Sequence, residues 1–372
     1  MHNEHMRSVL QKIATGPTLS KNLSHDEARR AMRLILDGEA DPVQAGIFLI
    51  ALRMKRETDD ELAGVLDAIN SGGEKTPLFV DKLVTIVDPY DGFVRSTPTG
   101  AFLAPVLAAC GLKVLIHGVH SMGPKFGTSH QQVLQAAGVA LPQSTRAAAR
   151  QIEDVEKGWA YLSQHQFAPE LATLNDLRTR IVKRPCLTTL EVAVNAFKPL
   201  RESHLVTGYV HKPYPPIYAR IAAQGGFSSA TIIRGVEGGV IPSLTQSSRF
   251  FQSADGKSLK QTDLEPASLA IEREERAVPL PATLVNNDVR SVKSPDNPFA
   301  EALASHAATC GIQALQGQAG YTRDALVFGG AVILLSQGQA FGLREAADRV
   351  MGVLDDGSAL SRWIDHQSDE KI

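Results

Sequence analysis

The sequence predicts an α/β fold in which a small N-terminal helical domain precedes a larger α/β domain with a mainly parallel sheet flanked by helices. Three observations predict this class. The first seventy residues carry repeated helix-start signals, the chain after residue 83 alternates short apolar runs with helical stretches, and 372 residues with 43% hydrophobic content suffice for more than one core. The predicted boundaries are 1–73 for the helical domain, completed by helices from about 168–200, and 78–167 with 201–372 for the α/β domain.

Capping residues and apolar spacing predict the helices of the N-terminal region. Three pairs mark helix starts: Ser24 with Glu27, Asp41 with Pro42, and Thr58 with Glu61. Gly38 ends the first of these helices, and the third runs to about residue 70. A Ser-Gly-Gly sequence at 71–73 then indicates a hinge.

A parallel strand-helix-strand unit is predicted next. Residues 83–87 and 113–116 are short apolar runs typical of strands. Between them, Thr97 and Pro98 are expected to cap a helix that ends at Gly111. The later predicted strands are 205–210, 230–233 and 282–285. Strands that alternate with helices in this way favour a mainly parallel sheet.

Charge and cysteine content exclude several classes of protein. Lys and Arg total 38 against 40 Asp and Glu, and a net charge of −2 gives no whole-molecule attraction to nucleic acid or anionic lipid. Any anion site must therefore be local. Cys110, Cys186 and Cys310 lie far apart without paired spacing, which fits neither a disulfide framework nor a zinc site. This cysteine usage predicts a reducing, cytoplasmic location.

Three segments bear on targeting and on irregular structure. Residues 1–8 carry charged side chains and lead into no long apolar stretch, so they are not expected to be a signal peptide. Residues 101–116 are interrupted by proline, glycine and lysine and are shorter than the roughly 20 residues that cross a bilayer, so no membrane partner is predicted. Residues 243–265, rich in Ser, Gln and Lys, lack a period and are expected to be irregular.

The loop after the first predicted strand is the first candidate site, because open α/β sheets bind ligands at the carboxyl ends of their strands. It leads into a predicted helix start, where backbone N–H groups are available to a phosphate or carboxylate. The candidate residues are Asp91, Gly92, Arg95, Ser96 and Thr97. A second interpretation stays open, in which Thr97 only caps the helix and Arg95 is solvated.

The loop after the second predicted strand, residues 117–130, carries a stronger signal for an anion site. Its glycines let the backbone approach a ligand, and its lysine supplies positive charge. The candidate residues are His117, Gly118, His120, Ser121, Lys125, Gly127, Thr128 and Ser129. The three histidines of this loop match no compact pattern of metal ligands, so no metal site is predicted. A structural Gly-rich turn is the alternative.

A basic stretch is the third candidate. Six basic residues share 24 positions with a single acid, Glu191. They are Arg178, Arg180, Lys183, Arg184, Lys198 and Arg201. Such a stretch binds nucleic-acid phosphates or an acidic substrate, or it forms a solvated helix face, and the residues alone do not decide between these interpretations.

Segments along nearly the whole chain resemble a known family. They are 23–28 (Leu-Ser-His-Asp-Glu-Ala), 48–55 (Phe-Leu-Ile-Ala-Leu-Arg-Met-Lys), 61–64 (Glu-Leu-Ala-Gly), 109–114 (Ala-Cys-Gly-Leu-Lys-Val) and 323–325 (Arg-Asp-Ala). Through them the chain resembles the anthranilate phosphoribosyltransferase family, glycosyl transferase family 3 of the nucleoside phosphorylase and phosphoribosyltransferase superfamily. The resemblance implies a helical domain, a phosphoribosyltransferase-like α/β domain, and a homodimer formed through the helical domains.

The resemblance also implies an activity, the transfer of phosphoribose from phosphoribosyl diphosphate to anthranilate. In the family, magnesium neutralises the pyrophosphate leaving group. The family's first loop, Gly-Thr-Gly-Gly-Asp-Gly, matches 88–92 of this chain. Asp91 and Gly92 keep the Asp-Gly pair, whereas Pro89 and Tyr90 replace the first glycines.

The second family loop and the magnesium motif are altered further. The sequence Lys-His-Gly-Asn-Arg-Ser matches 116–121, where the lysine, the asparagine and the arginine are lost. The acidic pair of the family's Gly-Leu-Asp-Glu motif, which binds magnesium, is replaced by Val240 and Ile241, with Glu237 three residues earlier. Arg178 matches the family's substrate-contacting arginine.

Three functional hypotheses follow. The first is a divergent glycosyl or phosphoribosyl transferase family protein that binds a phosphorylated, ribose-phosphate-type ligand in the interdomain cleft and, if active, transfers a pentosyl group. In it, His117, Ser121 and Lys125 hold phosphate and Arg178 contacts the acceptor. The second is a non-catalytic homodimer that binds nucleic acid through a basic groove, and the third is a small-molecule sensor or structural homologue.

Overall fold

The computed structural model describes residues 4–16, 18–73, 75–285 and 293–364. The first three residues of the segment 1–8, and the part of the predicted range 201–372 beyond residue 364, lie outside the described residues. The described chain is a small N-terminal helical domain followed by an α/β domain with a mostly parallel sheet flanked by helices. This architecture confirms the predicted fold class.

Four helices build the N-terminal domain, and the last three begin at their predicted caps. They are α1 (Glu4–Ile13), α2 (His25–Leu36), α3 (Pro42–Lys55) and α4 (Asp59–Asn70). The hydroxyls of Ser24 and Thr58 accept hydrogen bonds from the backbone of Glu27 and Glu61, whose carboxylates accept from the cap backbone in return. The side chain of Asp41 accepts from the first turn of α3. The predicted capping residues therefore set where these helices begin.

The α/β region contains two sheets and the remaining helices. The strands are β1 (Thr76–Pro77), β2 (Lys82–Val87), β3 (Val114–Gly118), β4 (Trp159–Ser163), β5 (Phe197–Lys198), β6 (Glu202–Tyr209), β7 (Ser229–Arg234), β8 (Ser248–Ser253) and β9 (Lys260–Leu264). The helices are α5 (Leu103–Ala109), α6 (His130–Ala136), α7 (Thr145–Glu153), α8 (Gln164–Phe167), α9 (Pro169–Ala172), α10 (Asn175–Ile181), α11 (Leu187–Leu190), α12 (Tyr214–Gln224), α13 (Ala282–Val285), α14 (Pro298–Leu315), α15 (Tyr321–Ser336), α16 (Leu343–Asp355) and α17 (Ser358–Ile364).

The large sheet has the strand order β4-β3-β2-β6-β7-β8-β9, while β1 and β5 form a small parallel pair. The five strands β4, β3, β2, β6 and β7 are parallel to one another. Strands β8 and β9 are antiparallel additions at one edge. In this register Ile86 of β2 lies beside Ile116 of β3 and Val206 of β6. The chain builds outward from β2 to β4 and then returns to the other side of β2. The strand order therefore reverses between β2 and β6, and open sheets bind ligands at such a reversal.

Three predictions of local structure are wrong. Residues 282–285 form the short helix α13 instead of a strand, because a four-residue apolar run carries too little period to distinguish the two. Residues 243–265 contain the hairpin of β8 and β9, and β9 is a polar edge strand without apolar alternation. Thr97 and Pro98 do not cap a helix, since the Thr97 hydroxyl donates to the carbonyl oxygen of Pro279 at 2.7 Å and α5 begins further along the chain.

Two hydrophobic cores lie on opposite faces of the large sheet. Neighbouring residues of β6 enter different cores, because successive side chains of a strand point to opposite faces. Leu205 packs with the N-terminal helices, whereas Val206 packs with α5 and the C-terminal helices. Helices therefore cover both faces, as parallel sheets require. Among the helices of the described residues, none is both long and apolar enough to cross a membrane.

Candidate functional site

The candidate site is a cleft at the carboxyl ends of β2, β6 and β7. Its main cavity has a volume of about 740 Å³. The walls come from the loop after β2 at 94–96, the turn after β7 at 234–237, and the segment 275–279. This position lies beside the reversal of strand order between β2 and β6, where ligands of open α/β sheets bind.

The two loops predicted as anion sites pair with each other beneath the cavity. Phe93 and Thr128 exchange two backbone hydrogen bonds of 2.9 and 2.8 Å. Gly92 has a φ of 74°, and a Cβ at this position would lie 2.4 Å from the carbonyl oxygen of Gly127. Only glycine allows this approach. Gly92 and Gly127 thus bring the two loops together.

Four hydrogen-bond donors converge on one carboxylate at the cavity wall. The backbone N–H groups of Val94 and Arg95 donate to Glu237 at 3.2 and 2.7 Å, and the Ser96 hydroxyl donates at 3.0 Å. Lys125 Nζ lies 3.0 Å from Glu237 Oε2, and the side chain of Glu237 is only 6% exposed. We call these four donors the anion nest. Backbone N–H groups, a hydroxyl and an ammonium group at this spacing are suited to holding an anion.

The cavity is basic although the whole chain is not. Its lining includes two carboxylates, Glu237 and Glu275, and several cations. The cations are Arg95, Lys125, Arg184, Arg234, Arg276 and Lys293. A cluster of one sign within a cleft raises the local concentration of ions of the opposite sign. The net charge of −2 therefore averages over an uneven distribution.

A second cavity, of about 300 Å³, adjoins the first between the helical domain and the strand ends. The two cavities share Lys125, Arg184 and Glu237. The further walls of the second cavity include one cation and several aromatic rings: Arg53, Tyr209, Tyr214 and Tyr218. Aromatic rings beside basic groups suit a flat, anionic molecule.

Arg178 is buried, and its guanidinium binds Glu191. Each side chain is 1% exposed, and Arg178 Nη1 lies 2.6 Å from Glu191 Oε2. The sequence predicts contact of Arg178 with an acceptor or a polyanion, but its enclosed guanidinium is committed to this carboxylate. No sequence pattern indicates this pairing, because the spacing of 13 residues between the two falls outside any helical pattern.

The rest of the basic stretch does not form one surface. Arg180 pairs with Asp176 on the solvent side of α10, where their side chains are 60% and 81% exposed. Lys183 is exposed. Of the six basic residues of this stretch, Arg184 alone lines the two cavities, and its Nε donates to Asp91 Oδ2 at 2.8 Å. The buried Asp91 carboxylate thus neutralises part of the charge of Arg184.

His117 lies in a buried pair below the cleft. Its Nδ1 is 2.5 Å from the hydroxyl of Tyr90. Burial lowers the pKa of His117 to about 3, so the imidazole is neutral at physiological pH and adds no positive charge to an anion site. Burial likewise raises the pKa of Tyr90 well above its usual value. Both side chains belong to the structural support of the loops.

The other predicted residues of the second loop support its conformation. Ser129 forms a capping box with Gln132 at the start of α6. The Thr128 hydroxyl donates to the carbonyl oxygen of Ala300 at 3.0 Å. The remaining three are Gly118 at the end of β3, the exposed His120 and the half-buried Ser121. For most of this loop the structure favours the Gly-rich turn, and of its predicted residues Lys125 lines the cavity.

The residues of the cleft do not fit the magnesium site that the resemblance implies. The backbone N–H of Val240 donates to Asp88 Oδ1 at 2.8 Å, and Asp88 Oδ2 lies 2.9 Å from His130 Nε2. Glu237 is held in the anion nest. Across the described ranges, no three His, Cys, Asp or Glu side chains are grouped so that they would hold a metal ion. Magnesium needs several oxygen ligands with one or two carboxylates available to it.

Two walls of the cleft are absent from the predicted site. Arg234 is the last residue of β7, and the rule of carboxyl strand ends identifies it when it is applied to this strand as well as to the first two. Arg276 lies in the mixed-charge run 272–276, where no local pattern separates a ligand contact from a solvated face. The sequence identifies Glu237 only as a neighbour of the altered metal motif.

Comparisons with known proteins agree with this architecture. Residues 7–71 match the family described as "Glycosyl transferase family, helical bundle domain". The chain is 29% identical over 361 residues to anthranilate phosphoribosyltransferase of Anaeromyxobacter sp. (strain K), with 96% of both chains covered. It is 24% identical over 362 residues to the enzyme of the same name from Aquifex aeolicus, again with 96% of both covered.

Solved structures show the same fold. The structure of anthranilate phosphoribosyltransferase from Thermus thermophilus gives a TM-score of 0.71 at 18% identity, covering 98% of this chain and 99% of that one. The enzyme from Saccharomyces cerevisiae in complex with PRPP and Mg gives a TM-score of 0.74 at 18% identity, covering 98% of this chain and 97% of that one. The likeness extends over both domains.

Proposed function

We propose, from the premise that this chain belongs to the anthranilate phosphoribosyltransferase family, that it binds a phosphorylated, ribose-phosphate-type ligand in the cleft between its two domains. The observation that carries the proposal is the anion nest, whose four donors converge at 2.7 to 3.2 Å on one anionic group. Its position at the reversal of strand order supports the same conclusion.

The surroundings of the nest suggest a role for each wall. Lys125 and Ser96 bind a phosphate group of the ligand, and Arg234 and Arg276 attract its remaining negative charge. The second cavity, with its tyrosine rings and Arg53, holds the flat part of a second molecule. Arg178 takes no part in this arrangement, because Glu191 occupies its guanidinium.

The proposal covers binding and does not extend to magnesium-dependent transfer. Val240 and Ile241 carry no oxygen ligands in their side chains, and the nearby carboxylate of Asp88 already has partners. The ligand's charge is instead neutralised by the basic lining of the cavity. This assignment predicts that magnesium adds nothing to affinity.

The Lys125→Ala variant is expected to bind phosphoribosyl diphosphate at least tenfold more weakly than the wild type. The loss of one charge-assisted hydrogen bond to phosphate corresponds to about 1.4 kcal/mol or more. Isothermal titration calorimetry on the full chain, with and without magnesium, measures it. We expect the wild-type affinity to be the same in both conditions.

A lysine at the opposite edge of the sheet provides the matched control. Lys82 begins β2, is 60% exposed and pairs with Glu202, so Lys82→Ala removes the same charge far from the cleft. Its affinity for phosphoribosyl diphosphate should equal that of the wild type. If the wild type releases no heat with this ligand in either condition, the proposed function fails for this donor.

Nucleic acid is the second candidate ligand, because the six cations of the cavity also suit a phosphate backbone. The sequence basis for this alternative is weaker, since Arg178 is buried and Arg180 faces away on α10. Binding of a fluorescent single-stranded oligonucleotide across a range of salt concentrations separates the alternatives. A steep fall of affinity with salt supports nucleic acid, and a flat response excludes it.

We further propose that the chain forms a homodimer through its helical domain. Helix α3 carries apolar side chains on every side before its basic last turn, a composition typical of a helix that is covered on most of its surface. In the single chain Val43 and Ile47 of this helix are 70% and 44% exposed. With Leu177 and Ile181 of α10 they line an open apolar groove. A second copy of the chain would cover it.

The Ile47→Glu variant is expected to convert the dimer to a monomer, because a charge in a buried apolar interface is strongly unfavourable. Light scattering coupled to size-exclusion chromatography should give twice the 40.0 kDa chain mass for the wild type and 40.0 kDa for the variant. Val155→Glu, at a residue 75% exposed in the α/β domain, is the control and should remain dimeric. A monomeric wild type would contradict the proposal.

A further inference from the structure

The anion nest already holds an anion, the carboxylate of Glu237. Every donor of the nest is engaged by it: two backbone N–H groups, the Ser96 hydroxyl and the Lys125 ammonium. A phosphate of the ligand cannot use these donors while the carboxylate remains. We propose that Glu237 is an internal occupant of the nest, and that a ligand phosphate binds there by displacing it. This inference rests on the proposed function of the cleft.

The backbone around Glu237 indicates that the side chain moves while the turn stays in place. Glu237 has φ 54° and ψ 13°, a left-handed conformation that glycine adopts more readily than glutamate. The turn that holds it is fixed by Gly235, where a Cβ would lie 1.7 Å from the carbonyl oxygen of Gly239. The 740 Å³ cavity beside the carboxylate gives the side chain room to rotate. Glutamate therefore occupies this strained position because its carboxylate bonds the nest.

The need to displace the Glu237 carboxylate determines which anions bind in the nest. A carboxylate ligand offers the nest the same group that it already holds, so it gains nothing by displacing Glu237. A phosphate monoester carries nearly two charges and three acceptor oxygens, and therefore bonds the four donors more strongly. The nest should accordingly select a terminal phosphate, such as that of a sugar phosphate, and reject carboxylates. Glu237 is in this view a specificity-determining residue of the cleft.

The test uses ribose 5-phosphate as the probe and isothermal titration calorimetry on the full chain. Glu237→Gln removes the charge of the occupant and should bind the probe at least tenfold more tightly than the wild type. Glu237→Gly removes the side chain and suits the positive φ, so it provides a second variant that is expected to fold normally. We expect it to show the same gain and, unlike the wild type, to bind acetate measurably.

Glu275→Gln is the matched control. Glu275 lines the same cavity, so its substitution changes the charge of the cleft by the same amount, while its carboxylate makes none of the contacts to the nest. Because it only removes a negative charge from the cavity wall, its gain in affinity for ribose 5-phosphate should be about threefold or less, well below that of the Glu237 variants. An equal gain in the Glu237 and Glu275 variants would show a general charge effect and overturn the inference.

The remaining outcomes separate this inference from the function on which it rests. If the wild type and both Glu237 variants bind ribose 5-phosphate with equal affinity, the cleft is a phosphate site but Glu237 is not its occupant. If the Glu237 variants bind ribose 5-phosphate and the wild type does not, the result supports Glu237 as the occupant that blocks the nest in the free protein. If none of the proteins binds, an emptied nest holds no phosphate, and both the inference and the proposed function fail.

Discussion

The Arg178→Ala variant is expected to have a free energy of unfolding about 3 to 5 kcal/mol below that of the wild type. The substitution leaves the Glu191 carboxylate, which is 1% exposed, without its partner in the core of the protein. An uncompensated buried charge is among the largest destabilising effects of a single substitution. Urea denaturation followed by circular dichroism measures the difference.

Two further variants test whether burial is the cause. Arg201→Ala removes the same kind of side chain at the end of the basic stretch, where it is 74% exposed, and should change the free energy of unfolding by no more than about 0.5 kcal/mol. Arg178→Met combined with Glu191→Leu removes both charges and should recover most of the lost stability. A loss below about 1 kcal/mol in Arg178→Ala would contradict the buried pair and return this arginine to the candidates for ligand contact.

The His117→Gln variant is expected to resist acid better than the wild type. Burial depresses the pKa of His117 to about 3 in the folded protein, whereas an unfolded histidine titrates near 6.5. The unfolded state therefore binds a proton first as the pH falls. The stability from keeping the imidazole neutral is complete above pH 6.5 and is lost towards pH 3, at up to about 1.4 kcal/mol per pH unit.

Urea denaturation of both proteins at several pH values between 7 and about 4 gives this contribution as a difference in slope. The wild type should lose stability more steeply than His117→Gln below about pH 6.5, even if the variant is less stable at neutral pH through its altered contact with Tyr90. His120→Gln, at an exposed position of the same loop, should keep the wild-type slope. Parallel curves for the wild type and His117→Gln would show that the imidazole is solvated.

Structure is most predictable from the sequence where one local rule decides it. The capping boxes at Ser24 and Thr58 fix helix starts through contacts within four residues, so the sequence contains the whole interaction. Structure is least predictable where a partner outside the segment itself decides it. The strand β9 exists because β8 pairs with it, and Lys260–Leu264 alone shows no strand pattern. Arg178 is buried because a distant part of the fold places Glu191 beside it.

The candidate site likewise has features that the sequence predicts and features that it does not. The rule of carboxyl strand ends directs attention to the loops of Ser96 and Lys125, and both residues line the cavity. The chemical types of the loop residues are a poorer guide, because glycines and hydroxyls serve the contact between two loops as well as they serve a ligand. Gly92 and Gly127 illustrate this ambiguity. Only the three-dimensional structure shows whether a glycine makes room for a neighbouring loop or for a ligand.

The backbone pairing of Phe93 with Thr128 has a consequence for the energetics of the cleft. These backbone hydrogen bonds hold the two loops together before a ligand binds. Ligand binding therefore does not have to order the loops, and it does not cost their conformational entropy. The floor of the site is in this sense preorganised, and adaptation to a new ligand is left to the side chains above it. The wall formed by residues 275–279 is held to the first loop as well, because Thr97 donates through its backbone N–H to Val278 and through its hydroxyl to Pro279.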